Sequence, residues 1–277
     1  MLSRIIYKKF KKFFFFCFRF LNKNKKHKLV FVNSIPKSGT YFLHQILSST
    51  SFLNDFGNFV ASRPTLTYRY RSFETLKAMF KNPYKNEFCL GHLEYSALAH
   101  NYFKNTDTIN ILLVRDPRDI VISESFYLTN SNIFHKLHKF FKSLRNSNDR
   151  ISFAMYGSSY LKNCDVSFES INQRYVAYFE WINKTKCYYL KYEDLIGENQ
   201  INTIRKLLIY LSNSLKIKID IDKELTNIQD SLISNKKPHT FRIGKKGRWK
   251  KILSSEQKKW FLTEMKDLLL YFGYEKK

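Results

Sequence analysis

The chain has 277 residues and a basic balance, 48 Lys and Arg against 23 Asp and Glu, for a formal net charge of +25. That length admits one large domain with a substantial core, and no stretch rich in Pro, Gly or Ser divides it. The charge points to anionic partners, whereas the scattered Cys17, Cys89, Cys164 and Cys187 argue against zinc and a disulfide scaffold and fit a reducing, cytoplasmic compartment.

Residues 1–28 read as a basic, Phe-rich N-terminal extension before a domain over 29–277. Its unbroken apolar run covers only Phe13 to Phe18, far short of the roughly 20 residues that span a bilayer. Phe and Lys interleaved over 5–28 suit either peripheral contact with an anionic membrane or a tail without structure.

The apolar run Leu29–Val32 reads as a buried strand, and helical spacing follows over Thr40–Ser49. Between them stands "NSIPKSGTYF", residues 33–42. A strand-to-helix turn leaves the first helical amides unpaired and aims the positive end of the helix dipole outward. Gly39 permits close backbone approach, Lys37 adds a cation, and Ser38 and Thr40 offer hydroxyls for capping or for an oxyanion, which makes a phosphate the expected guest. The leading Gly of the usual nucleotide loop is absent, so ATP held in the usual way is not indicated.

Further on, Ile109–Val114 reads as a strand, Asp119–Tyr127 as a helix and Cys187–Lys191 as another strand, a pattern for a parallel sheet covered on both faces. In "NIFHKLHKFFKSL", Ile133, Phe134, Leu137, Phe140, Phe141 and Leu144 fall on one helical stripe, which leaves His135 and His138 on a solvated face without a third metal ligand. In "ILLVRDPRDIVIS" a strand ends on Arg115, Asp116 reads as a helix N-cap, Pro117 as its first residue, and Ser123 follows Arg115 by eight positions. Ligands of open parallel sheets sit beyond the carboxyl ends of the strands, so Lys37 and Arg115 would share one rim and hold two separated phosphates. "FRIGKKGRWKK", residues 241–251, adds cations and two glycines, and by itself reads equally as an exposed basic loop.

Together these segments resemble the sulfotransferases that use 3′-phosphoadenosine 5′-phosphosulfate (PAPS), in the family's order from about Leu29 onward. The resemblance implies an α/β, P-loop-like, three-layer fold with a central parallel sheet flanked by helices. It makes Pro36, Lys37, Ser38, Gly39 and Thr40 the loop for the 5′-phosphosulfate and adds Tyr41 and Phe42 to the cofactor-binding residues, Phe42 standing where many members carry Trp against adenine. It makes Arg115 and Ser123 the clamp on the 3′-phosphate, places Tyr192 of "LKYEDL" near the adenosine, and gives Arg242, Ile243, Gly244 and Gly247 to a closing element over the nucleotide. His92 of "LGHL" falls where the family has its general base, a role that imidazole suits near neutrality. The implied reaction needs no metal. It moves a sulfuryl group in line to a hydroxyl or amine of an acceptor, a carbohydrate or small molecule, with His92, Lys37 and Ser38 as catalytic residues and the segment Phe126–Arg174 as acceptor pocket and lid. No specific nucleic acid is expected as partner. Two other readings stand beside this one: a non-catalytic basic protein on nucleic acid or membrane, and a metal-dependent nucleotide kinase.

Overall fold

The computed structural model describes residues 27–161, 165–185, 187–234 and 246–276. The proposed N-terminal extension, apart from its last two residues, and Arg242, Ile243 and Gly244 lie outside the described residues.

Five parallel strands form the central sheet: β1 (Val30–Ser34), β2 (Asn54–Ala61), β3 (Glu87–His92), β4 (Ile109–Val114) and β7 (Tyr188–Lys191), in the spatial order β2-β3-β1-β4-β7. β5 (Ser158–Leu161) and β6 (Val166–Phe168) make a separate antiparallel pair. The main helices are α1 (Thr40–Ser48), α2 (Ala97–Asn105), α3 (Pro117–Phe126), α4 (His138–Ser143), α5 (Ser147–Tyr156), α6 (Ile171–Lys184), α7 (Gln200–Leu215) and α8 (Ile221–Ser234).

Alternation along the strands supplies both faces of the sheet, since successive side chains point to opposite sides. Val30 and Val32 pack with Leu43, Ile46, Leu207 and Ile228 beneath α1, α7 and α8. Phe31, Leu112 and Val114 pack on the other face with Phe103, Ile120, Tyr175 and Trp181 beneath α2, α3 and α6. The expected α/β architecture with a helix-covered parallel sheet is therefore observed.

β1 runs two residues past its apolar stretch. Asn33 and Ser34 are fully buried because tertiary partners satisfy them: Asn33 Nδ2 donates to the Leu93 carbonyl at 2.8 Å, and the Leu93 amide donates back to Asn33 Oδ1 at 2.9 Å. α3 starts as its sequence suggests, with Asp116 accepting from the Arg118 amide at 3.0 Å and Pro117 in the first turn. It ends at Phe126, and Tyr127–Ser131 continue as a wider π-helical turn, a device frequent at functional sites.

The helical stripe expected over 133–144 is not continuous. Helix α4 begins only at His138, and Ile133 and Phe134 are 64% and 74% exposed. The cause is tertiary: the Lys136 amide donates to the Thr65 carbonyl at 3.0 Å, which pulls this stretch onto the loop after β2 as a turn. His135 consequently does not sit on a solvated face. It packs beside Tyr68, ring centroids 5.5 Å apart, and lines the main cavity.

Candidate active site

β1, β3, β4 and β7 end on the same rim, and the residues that follow them surround one cavity of about 530 Å³. Of the residues that the sequence marks out, Lys37, Gly39, Thr40, Tyr41, Phe42, His92, Arg115, Ser123 and Tyr192 all line it.

The turn after β1 takes an uncommon backbone course, with Lys37 at φ +70° and Gly39 at φ +98°. Gly39 has a second reason to be glycine: a Cβ there would collide with the ring of Tyr192. That ring in turn carries the Arg115 guanidinium 4.5 Å above it, and Arg115 Nη1 donates to the Lys37 carbonyl at 3.1 Å. Loop, clamp and aromatic platform are thus one packed unit.

Gly39 is the N-cap of α1 without a side-chain cap, and the two hydroxyls expected to cap it or meet an oxyanion turn inward. Ser38 Oγ donates to the Ile35 carbonyl at 2.6 Å, and Ser38 is fully buried. Thr40 Oγ1 lies 2.7 Å from Ser34 Oγ. What the turn can still offer an anion is the amides at the start of α1.

His92 closes the end of β3. Its Nδ1 lies 2.7 Å from the Ser34 carbonyl, which can only accept, so the proton is on Nδ1 and the lone pair on Nε2. Nε2 has no partner among the described residues, and Phe59 meets the imidazole edge to face with centroids 5.0 Å apart. Burial pushes the His92 pKa down to about 4; the Ser34 bond opposes this and the Lys37 charge adds to it. The site therefore holds a neutral imidazole with its basic nitrogen available at pH 7.

Lys37 Nζ sits 3.6 Å above the Tyr127 ring. Burial lowers its pKa to about 8, Glu124 raises it and Arg115 lowers it. Glu124, buried on α3, is gripped by Arg174 Nη1 at 2.8 and 2.7 Å.

Gly247 does not line the cavity. Its amide donates to Asp119 Oδ2 at 2.7 Å, and the Trp249 amide donates to Asp119 Oδ1 at 3.1 Å, so a carboxylate of α3 anchors the C-terminal half of the basic segment. The neighbouring Arg248 does reach the cavity.

The expected Phe126–Arg174 segment supplies Phe126, Tyr127, His135, Ile171 and Arg174 to the walls. Sequence reasoning missed the opposite wall, where Phe59, Arg63, Tyr68 and Arg71 come from β2 and the loop after it, and it missed Glu94 and the Glu124–Arg174 pair. Glu94 could have been found by strand alternation, two positions beyond His92; nothing local marks the loop residues.

A family model described as a sulfotransferase domain matches residues 27–269. Among solved structures, the chain is similar to a mouse sulfotransferase, SULT7A1, complexed with PAP, at 18% identity over 86% of this chain and 85% of that one, with a TM-score of 0.58. It is also similar to a retinol dehydratase in complex with androsterone and inactive cofactor PAP, at 14% identity over 90% of this chain and 82% of that one, TM-score 0.52. No curated protein sequence matches the chain.

Proposed function

Because the chain belongs to the sulfotransferase domain family, we propose that it moves a sulfuryl group from PAPS to a hydroxyl, or an amine, of an acceptor held beside His92. The observation that carries this reading is the convergence of Lys37, Arg115 and a neutral His92 with a fixed tautomer on one cavity. PAP in both structural neighbours supports the choice of donor.

In this mechanism His92 Nε2 takes the proton of the acceptor hydroxyl while the acceptor oxygen forms a bond to sulfur. The opposite S–O bond breaks, and its electron pair stays on the 5′-phosphate oxygen of PAP. Lys37 and the first amides of α1 stabilise the charge that develops there, and a preorganised donor of this kind commonly contributes about 3 kcal/mol. Ser38 acts by holding the turn through Ile35. Arg115, seated on Tyr192, and Ser123 take the 3′-phosphate. Arg242, Ile243, Gly244 and Gly247 are assigned to nucleotide binding on the family resemblance alone, and the Gly247 amide itself is held by Asp119.

Calorimetric titration with adenosine 3′,5′-bisphosphate, ADP and ATP without magnesium tests the donor site. Preference for the bisphosphate is expected, and equal affinity for all three would sink the reading and favour the basic binding-protein alternative.

We also place the protein in the cytoplasm, with peripheral membrane contact through residues 5–28. Among the described residues no helix is long and apolar enough to cross a membrane. Co-sedimentation with anionic vesicles should fall when the chain starts at Lys28; unchanged pelleting would remove the contact.

A further inference from the structure

The chain beyond His92 is held rigidly in an extended course. The Ser62 amide donates to the His92 carbonyl at 2.9 Å, the Glu94 amide to Ser62 Oγ at 3.1 Å and the Tyr95 amide to the Ala177 carbonyl at 2.8 Å. Leu93, between them, is 1% exposed and its carbonyl accepts from both Asn33 Nδ2 and Trp181 Nε1. Alternation therefore turns Leu93 into the core and brings both His92 and Glu94 into the cavity.

Glu94 is as well positioned as the base. Its Oε1 accepts from Arg63 Nε at 3.0 Å, and Arg63 Nη2 reaches Glu169 at 2.6 Å. The Arg63 guanidinium lies 5.4 Å from the Tyr70 ring centroid and 6.0 Å from that of Tyr68, so its own course is fixed. One guanidinium faces two carboxylates, and Glu94 Oε2 has no partner among the described residues. Covering this partly exposed carboxylate oxygen with an apolar ligand takes away its water at a cost, whereas a ligand that donates to it satisfies it.

We propose that Glu94 selects acceptors that carry a second hydrogen-bond donor, a hydroxyl or an ammonium, a few bonds from the hydroxyl that reacts at His92. Residues two apart in extended chain are about 7 Å apart, which the two hydrogen bonds and a short donor-bearing carbon segment span. A lone phenol or sterol hydroxyl engages His92 and leaves Glu94 facing carbon. Sites built to hydrogen-bond a substrate group discriminate strongly against analogues that lack it. The proposal rests on the sulfuryl-transfer reading and refines its acceptor.

The test compares kcat/KM for cyclohexanol, trans-cyclohexane-1,2-diol and trans-2-aminocyclohexanol in the full chain and in Glu94→Gln and Glu94→Leu, with bisphosphate affinity measured in each. In the unsubstituted protein the diol or the amino alcohol should exceed cyclohexanol by about 10²-fold. Glu94→Leu should shrink that ratio to below about threefold, with bisphosphate affinity retained. Glu94→Gln separates the two donors, since it keeps a preference for the diol and loses one for the ammonium. Equal use of the alcohols, an unchanged ratio in Glu94→Leu, or bisphosphate binding without turnover of any of the three overturns the proposal while leaving the donor site standing. Failure to bind bisphosphate removes the sulfuryl-transfer reading itself.

Discussion

Ser34 and His92 meet twice: the imidazole Nδ1 is 2.7 Å from the Ser34 carbonyl and 3.1 Å from its hydroxyl. The carbonyl determines which nitrogen carries the proton, and the hydroxyl, which also lies 3.1 Å from the Gly91 carbonyl and 2.7 Å from Thr40 Oγ1, ties that choice to the first residue of α1. The last residue of β1 thereby orients the His92 imidazole and braces the turn before α1 together.

The pH dependence of kcat/KM follows from the free protein's two displaced groups. In the proposed mechanism His92 is neutral to accept a proton, so activity should rise with pH through about 4. Lys37 is charged there to stabilise the leaving group, so activity should fall above about 8. Glu124 raises the Lys37 pKa, and Glu124→Gln should therefore move the alkaline limb to lower pH. A limb that stays in place in this variant would separate Lys37 from that limb.

His92→Ala removes the proposed proton acceptor and leaves the Lys37–Gly39 turn in place. Turnover should drop by about 10² to 10⁴, with bisphosphate affinity within about threefold of the original by calorimetry. Ser34→Ala keeps the carbonyl that sets the tautomer, so it should lose much less, less than about tenfold in kcat. Equal losses in the two variants would mean that the hydroxyl, and not the carbonyl, organises the imidazole.

Gly39→Ala meets two obstacles, a φ of +98° and the Tyr192 ring. Bisphosphate affinity should fall at least about tenfold, or roughly 1.4 kcal/mol, along with the melting temperature. Adding Tyr192→Ala removes the collision and leaves only the backbone strain. The double variant should then be more stable than the sum of the single losses, and strict additivity in urea unfolding would show that the ring yields freely.

Arg174→Met strands the Glu124 carboxylate, which is buried on α3 beside Lys37. Breaking a buried pair from one side commonly costs about 3 to 5 kcal/mol, and urea unfolding should register a loss of that order. Combining Arg174→Met with Glu124→Gln removes the unpaired charge and should recover most of it. A double variant as unstable as the single one would point instead to the Arg174 hydrogen bond with the Ala154 carbonyl, at 2.8 Å.

By itself the sequence determined the alternation of strands and helices, the Lys37–Gly39 turn and the Arg115–Ser123 spacing, because each is written in residues close together in the chain, whereas His92 is singled out only by the family resemblance. Pro117 after Asp116, or Gly39 between a strand and a helix, acts on its own neighbours and is legible there. Only the tertiary structure decided where β1 ends, since Asn33 and Ser34 are strand residues through bonds to Leu93 and Gly91, nearly sixty positions away. It likewise broke the 133–144 stripe through the contact of Lys136 with Thr65 and turned His135 from a surface residue into a cavity wall. The charged cavity wall, with Arg63, Glu94 and the Glu124–Arg174 pair, is tolerated inside the fold only because distant partners meet each charge, so no local pattern announces it.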